Sequence, residues 1–224
     1  MEAEIKAIPK LDVIKEEEIH HLLLPGEMGA VLEWTVSDPK TGKVTEHKVI
    51  KSQSFVQGFL QLLYVSMAQS PTTAPIVITD TGAGAGVARN VSEYKGLGYH
   101  FRTNGLAASV TTGIIIGTGV TAATISDHRI ETIIPHATMN YSAVTFGAPA
   151  SDATTSQMTV TRNFANVSGG IVTVNEIGLY AEGTDNAGTQ RFFMIIHDSG
   201  AGGLAIAVGI GQTLTVNYRL QATV

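Results

Sequence analysis

Residues 156–167 read Ser156-Gln157-Met158-Thr159-Val160-Thr161-Arg162-Asn163-Phe164-Ala165-Asn166-Val167. Met158, Val160, Arg162 and Phe164 share one parity. Side chains of an extended chain alternate between faces, so this stretch is a strand with one face buried. Ser168-Gly169-Gly170 is turn chemistry, and Ile171, Thr173 and Asn175 follow it on one parity. The sequence therefore predicts that 156–167 and 170–181 fold back on each other as a hairpin. In that register Glu176 is placed to pair with Arg162 across the hairpin.

The same texture runs through the C-terminal half. Short apolar runs at 113–117, 129–134, 138–147, 190–198 and 212–223 are separated by Gly-, Pro- and Asp-rich turns. Leu214-Thr215-Val216-Asn217-Tyr218-Arg219-Leu220 alternates, which gives one buried and one wetter face. Regular short strands with such punctuation predict an all-β chain, a β-sandwich or jelly-roll-like domain. Upstream, residues 29–50 predict a hairpin across Asp38-Pro39-Lys40-Thr41-Gly42, with Trp34, the single tryptophan, as a core anchor. Residues 52–68 predict one buried helix, capped by Ser52 or Ser54. Phe55, Phe59, Leu62 or Leu63 and Met67 recur at helical spacing, and Val56, Leu60 and Tyr64 widen that stripe. Gly58 inside it costs about 1 kcal/mol against Ala, which suggests a close approach on its face. Residues 70–112 are loop-rich, with short strands expected near Ile76-Val77-Ile78 and Tyr99-His100-Phe101. Residues 1–25 form an N-terminal arm ending at Pro25-Gly26, and 26–224 form the main β domain.

The chain has 224 residues, enough for one large β domain. Charged residues are 15%, against roughly 25% in an average soluble domain, while apolar residues reach 44%. So weakly charged a surface suits a chain that buries much of itself against neighbours. The net charge is −5, and every lysine lies at or before Lys95. Nucleic acid is therefore not an expected partner, because phosphate binding needs clustered Lys and Arg. There are no cysteines, so stability must come from packing. Neither a secretory signal nor a membrane-length apolar run is read here.

Candidate chemistry is sparse. Gly82-Ala83-Gly84-Ala85-Gly86 lacks the Lys-Ser/Thr and helix start of a phosphate loop. His197-Asp198-Ser199 has the residue types of a catalytic triad, but adjacent strand residues point to opposite faces. Asp127-His128-Arg129 reads as a turn, and His20-His21 lacks a third metal ligand. Asn90-Val91-Ser92, Asn140-Tyr141-Ser142 and Asn166-Val167-Ser168 are chance matches to a glycosylation triplet. No catalytic, cofactor-binding or metal-ligating residue is assigned.

Four segments carry a resemblance. They are Gly113-Ile114-Ile115-Ile116-Gly117-Thr118-Gly119, Thr159-Val160-Thr161-Arg162-Asn163-Phe164-Ala165-Asn166, Val174-Asn175-Glu176-Ile177-Gly178-Leu179-Tyr180 and Gly211-Gln212-Thr213-Leu214-Thr215-Val216. Together they resemble a pattern of tailed-bacteriophage and archaeal-virus structural proteins, and the stretch from Ser52 to Tyr64 resembles a helix upstream of it. The resemblance implies a non-enzymatic virion protein made in the host cytoplasm. It would be capsid-associated, of decoration or minor head type; a tail, baseplate or fibre component, with glycan binding in one version, is the alternative. Its partners would be further copies of itself and other virion proteins, with no cofactor and no membrane. Ile5, Ile8, Leu11 and Ile14 of the arm, and the loop 79–98, are the expected assembly contacts.

Overall fold

The computed structural model describes residues 22–52, 54–68, 76–82, 86–91 and 101–224. Strand makes up 49% of the structure and helical residues 7%, so the chain is all-β. In chain order the described elements begin with β1 (Met28–Ser37), β2 (Val44–Lys51), β3 (Ser54–Phe55), helix α1 (Gln57–Ala68), β4 (Ile76–Thr79), β5 (Ala88–Val91) and β6 (Gly113–Gly117). They continue with β7 (Met139–Tyr141), β8 (Thr145–Phe146), β9 (Ala150–Ser151), β10 (Thr155–Asn166), β11 (Val172–Val174), β12 (Glu176–Thr184), β13 (Gln190–Ser199), β14 (Ile206–Val208) and β15 (Thr213–Thr223).

Two sheets face each other. The first runs β2-β1-β15-β10-β7, with β8 and β9 also on β10; the second runs β3-β13-β12-β6. Register explains the core of the first sheet. Residues directly opposite each other in an antiparallel ladder share a face. Leu32, Tyr218 and Val160 thus form one inward row, Trp34, Val216 and Arg162 the next, and Val36, Leu214 and Phe164 a third. All nine side chains are buried. The opposite parity carries Glu33, Asn217 and Arg219, which bond to one another on the outer face. Trp34 is the core anchor expected, and its indole donates to Glu46 at 2.7 Å. The β1–β2 hairpin forms across Asp38, whose carboxylate accepts from Lys40 N and Thr41 Oγ1.

Polar side chains bolt the sheets together. Arg162 on β10 donates to the carbonyls of Thr112 and Ile114 at 3.1 and 2.9 Å, reaching the edge of the second sheet. It also donates to Leu106, Ser109 and Ser142. Tyr218 on β15 donates to Ile177 O and to Asp198 on β13. Tyr141 donates to Ile134 O at 2.7 Å. Burial pushes the phenols of Tyr141 and Tyr218 up, which keeps both protonated and donating. The loop before β6 can close around the guanidinium because Gly113 adopts φ +84° and a side chain there would strike Val144.

The hairpin predicted from 156–167 and 170–181 does not form. β10 pairs instead with β15, β7, β8 and β9. The second half of the expected hairpin splits at Asn175: β11 joins β14 in a small sheet of its own, and β12 lies between β13 and β6. The cause is the buried side chain of Asn166. Its Oδ1 accepts from Ser168 N at 2.9 Å, and its Nδ2 donates to Gly170 O and Val208 O, each at 2.8 Å. These bonds hold the turn as a corner that sends the chain to the facing sheet. Glu176 therefore does not pair with Arg162. The expected strand 129–134 is irregular chain that pairs with β6 through the isolated Gly117–Ile133 bridge, and 138–147 breaks into β7 and β8.

Helix α1 starts at Gln57, later than predicted. Ser52 is no cap; its hydroxyl donates to Asp198 at 2.8 Å. Phe59, Leu62 and Val65 face the core. Gly58 marks the close approach expected: a Cβ there would lie 2.4 Å from the carbonyl oxygen of Met194 on β13. Leu60, Tyr64 and Met67 are exposed rather than buried, because α1 rests on the sandwich by one face only.

Phe164 is fully buried and meets Tyr141 edge-on at 4.8 Å between ring centroids. Phe164→Ala should lower unfolding free energy by roughly 3–5 kcal/mol, the usual range for a buried aromatic truncation. Urea unfolding with an unchanged midpoint would place this ring outside the core.

Candidate functional site

The inward face of the first sheet does not end where the second sheet stops covering it. Beyond the row of Leu32, Tyr218 and Val160 lie Ala30, Leu220 and Met158, then Met28, Ala222 and Ser156. Along this direction burial gives way to exposure, reaching 37% at Met158 and 60% at Met28. Phe55 on β3 and Pro149 close the sides, leaving a groove of about 290 Å³. Its wall is the same apolar parity that builds the core. Methionine is unbranched and polarizable, so two at the mouth make this surface adaptable in shape.

A second apolar surface lies on α1, where Leu60, Tyr64 and Met67 follow at helical spacing and face outward. Val77 on β4 is exposed as well.

A buried ionic clasp holds the loop between β6 and β7 to the second sheet. His197 on β13 bonds through Nδ1 to Asp127 at 2.6 Å and through Nε2 to Glu176 at 2.9 Å. Glu176 also accepts from Glu131 N, and Asp127 accepts from Thr124 N and its hydroxyl. Burial pulls the imidazole down, but the two carboxylates outweigh it and hold His197 above its ordinary value. Burial raises Asp127, but the Thr124 and His197 hydrogen bonds outweigh it and the carboxyl is held low. With both ring nitrogens facing carboxylates, this imidazole is an ion-pair partner and lacks the geometry of a general base against a hydroxyl. Ser199, the triad candidate's hydroxyl, accepts from Ala123 N instead. The sequence placed His197 on a strand and Asp127 in a turn, with nothing to connect them; the fold brings them together.

Two hairpin tips share another device. Asp80 accepts from Gly82 N, Val87 N and Arg89 Nε; Asp185 accepts from Ala187 N, Thr189 N and Arg191 Nε. Each carboxylate fixes a turn and neutralises the arginine beyond it. Ile5, Ile8, Leu11 and Ile14 lie outside the described residues, as do His20 and His21 and much of the loop 79–98. No helix among the described residues is long and apolar enough to cross a membrane.

No protein-family model, curated protein or solved structure matches this chain.

The clasp has a defined pH dependence. A group whose folded pKa is raised stabilises fully below its unfolded value and loses that contribution as pH climbs through the folded value. A group whose folded pKa is lowered stabilises above its unfolded value and loses that contribution on acidification. The clasp is therefore complete between the ordinary values of 3.8 for Asp and 6.5 for His. Urea midpoints should fall from about pH 6 to about pH 9, and His197→Gln should flatten that decline. Parallel declines in both proteins would show that His197 is neutral in the fold.

Proposed function

We propose that this chain is a non-enzymatic structural protein of a tailed-virus particle. In this reading it is capsid-associated and acts by packing against copies of itself and other particle proteins. The open apolar end of the sandwich carries the proposal. A sheet whose core parity runs on into solvent through Met158 and Met28 presents a surface that water disfavours and another protein surface would cover. The apolar outward stripe of α1 and the 15% charged content point the same way.

The segments that resemble virion proteins form the framework of both sheets. Ile114-Ile115-Ile116 is β6, and its neighbour β12 contains Glu176-Ile177-Gly178-Leu179-Tyr180. Arg162-Asn163-Phe164 on β10 pairs with Leu214-Thr215-Val216 on β15. The four strand segments of the resemblance thus adjoin in space, and the helix segment 52–64 carries Leu60 and Tyr64 of the exposed stripe.

Sedimentation of the purified chain should show concentration-dependent association, and Met158→Glu should weaken it at unchanged thermal stability. Mass spectrometry of particles from a virus carrying this gene should find the chain in stoichiometric amount, and their cryo-electron maps should place it on the head. Density on the tail would move it to a tail or fibre role. A chain absent from purified particles would end the virion reading.

A further inference from the structure

We propose that the groove at the open end of the sandwich receives aliphatic side chains of the N-terminal segment, residues 5–14, of a neighbouring copy of the chain. This rests on the assembly reading above and names the contact that it would use.

Both halves of the contact are specified. The receiving half is lined by Met28, Phe55, Pro149, Met158, Leu220 and Ala222, with no charged side chain among its lining residues. At about 290 Å³ it lies at the bottom of the range for drug-sized ligands, so it suits one or two aliphatic side chains. The donating half has them: Ile5, Ile8, Leu11 and Ile14 recur at every third position. Twenty-one residues precede the first described residue, Leu22. At about 3.3 Å per extended residue they span tens of ångströms, ample to reach another molecule.

The anchor at the base of the segment favours a neighbour's groove over the chain's own. Leu22 and Leu23 pack with Val31 and Val49. Val31 has the parity of Glu33, whose carboxylate bonds His47, Asn217 and Arg219 on the outer face of the first sheet. The groove is on the inner face, with Met28, Ala30 and Leu32. Leu22 and Leu23 thus lie on the face of the sheet opposite to their own groove, so that a neighbour's groove is reached without rounding the sheet's end. Strand β2, at the edge of the first sheet among the described residues, is the rival receptor, but Glu46, His47, Lys48 and Lys51 stud it. Charged edge strands resist added strands.

The chain has no cysteine, so introduced thiols report one contact. Two full-length chains, Ile8→Cys and Met158→Cys, carrying different tags, are mixed under mild oxidation. The proposal expects a disulfide between unlike chains, in preference to like pairs. It expects the same with Ala222→Cys as receiver, a second position should Met158→Cys fold poorly. Lys48→Cys on β2 should give only background linkage. A double variant, Ile8→Cys with Met158→Cys, should give ladders of linked chains that persist on dilution after oxidation. Exclusively intrachain closure, or preferred linkage to Lys48→Cys, overturns the proposal. Association without any groove linkage also overturns it and leaves the assembly reading standing. A chain that stays monomeric at all concentrations overturns both.

Discussion

The guanidinium of Arg162 sits inside the sandwich with five main-chain carbonyls as its acceptors and the rings of Tyr141 and Phe164 beside it. Burial lowers its pKa to about 10, which still leaves it charged at neutral pH. A buried cation held by carbonyl dipoles alone is stable only if nearly all of its donors are met. That requirement fixes several things together. It sets the path of the loop from Leu106 to Thr112, the start of β6, and the depth at which Tyr141 and Phe164 pack. It also joins the two sheets, since Arg162 belongs to the first and Ile114 to the second.

Strand β10 thereby acquires a direction. From Phe164 through Arg162 to Val160 its inward side chains are sealed beneath the second sheet, and from Met158 onward they are not. The polar bolts, Arg162, Tyr141, Tyr218 with Asp198, and the His197 clasp, lie on the sealed side or across the sheets. The open end has apolar atoms. In the reading proposed, the sealed end is the body of the molecule and the open end is the surface that docks.

The alternation that fixes strand faces was legible in the sequence. Met158, Val160, Arg162 and Phe164 do share the inward face, and the parity of Leu214, Val216 and Tyr218 is likewise inward. Pairing partners were not legible. The hairpin expected after Ser168-Gly169-Gly170 failed because turn chemistry specifies a change of direction but not the sheet in which the chain lands; Asn166 decides that through bonds to Gly170 and distant Val208. The helix spacing was read well enough to find α1. Periodicity alone could not say that Leu60 and Tyr64 stay in water, since an all-round apolar helix and a one-sided apolar helix look alike there. The contact of His197 with Asp127 joins residues 70 positions apart and left no local trace.

Amide hydrogen exchange along the full chain tests the central claim most directly. It compares the native sequence with a full-length variant in which Ile5, Ile8, Leu11 and Ile14 are all replaced by serine, at a concentration where the native chain associates. The account predicts that the variant loses protection at residues 28–29, 156–158 and 220–222, around the open groove, while 112–116 and 139–141 around Arg162 stay as slow as before. Equal protection of the groove in both proteins, or loss spread through the sealed end, would contradict it.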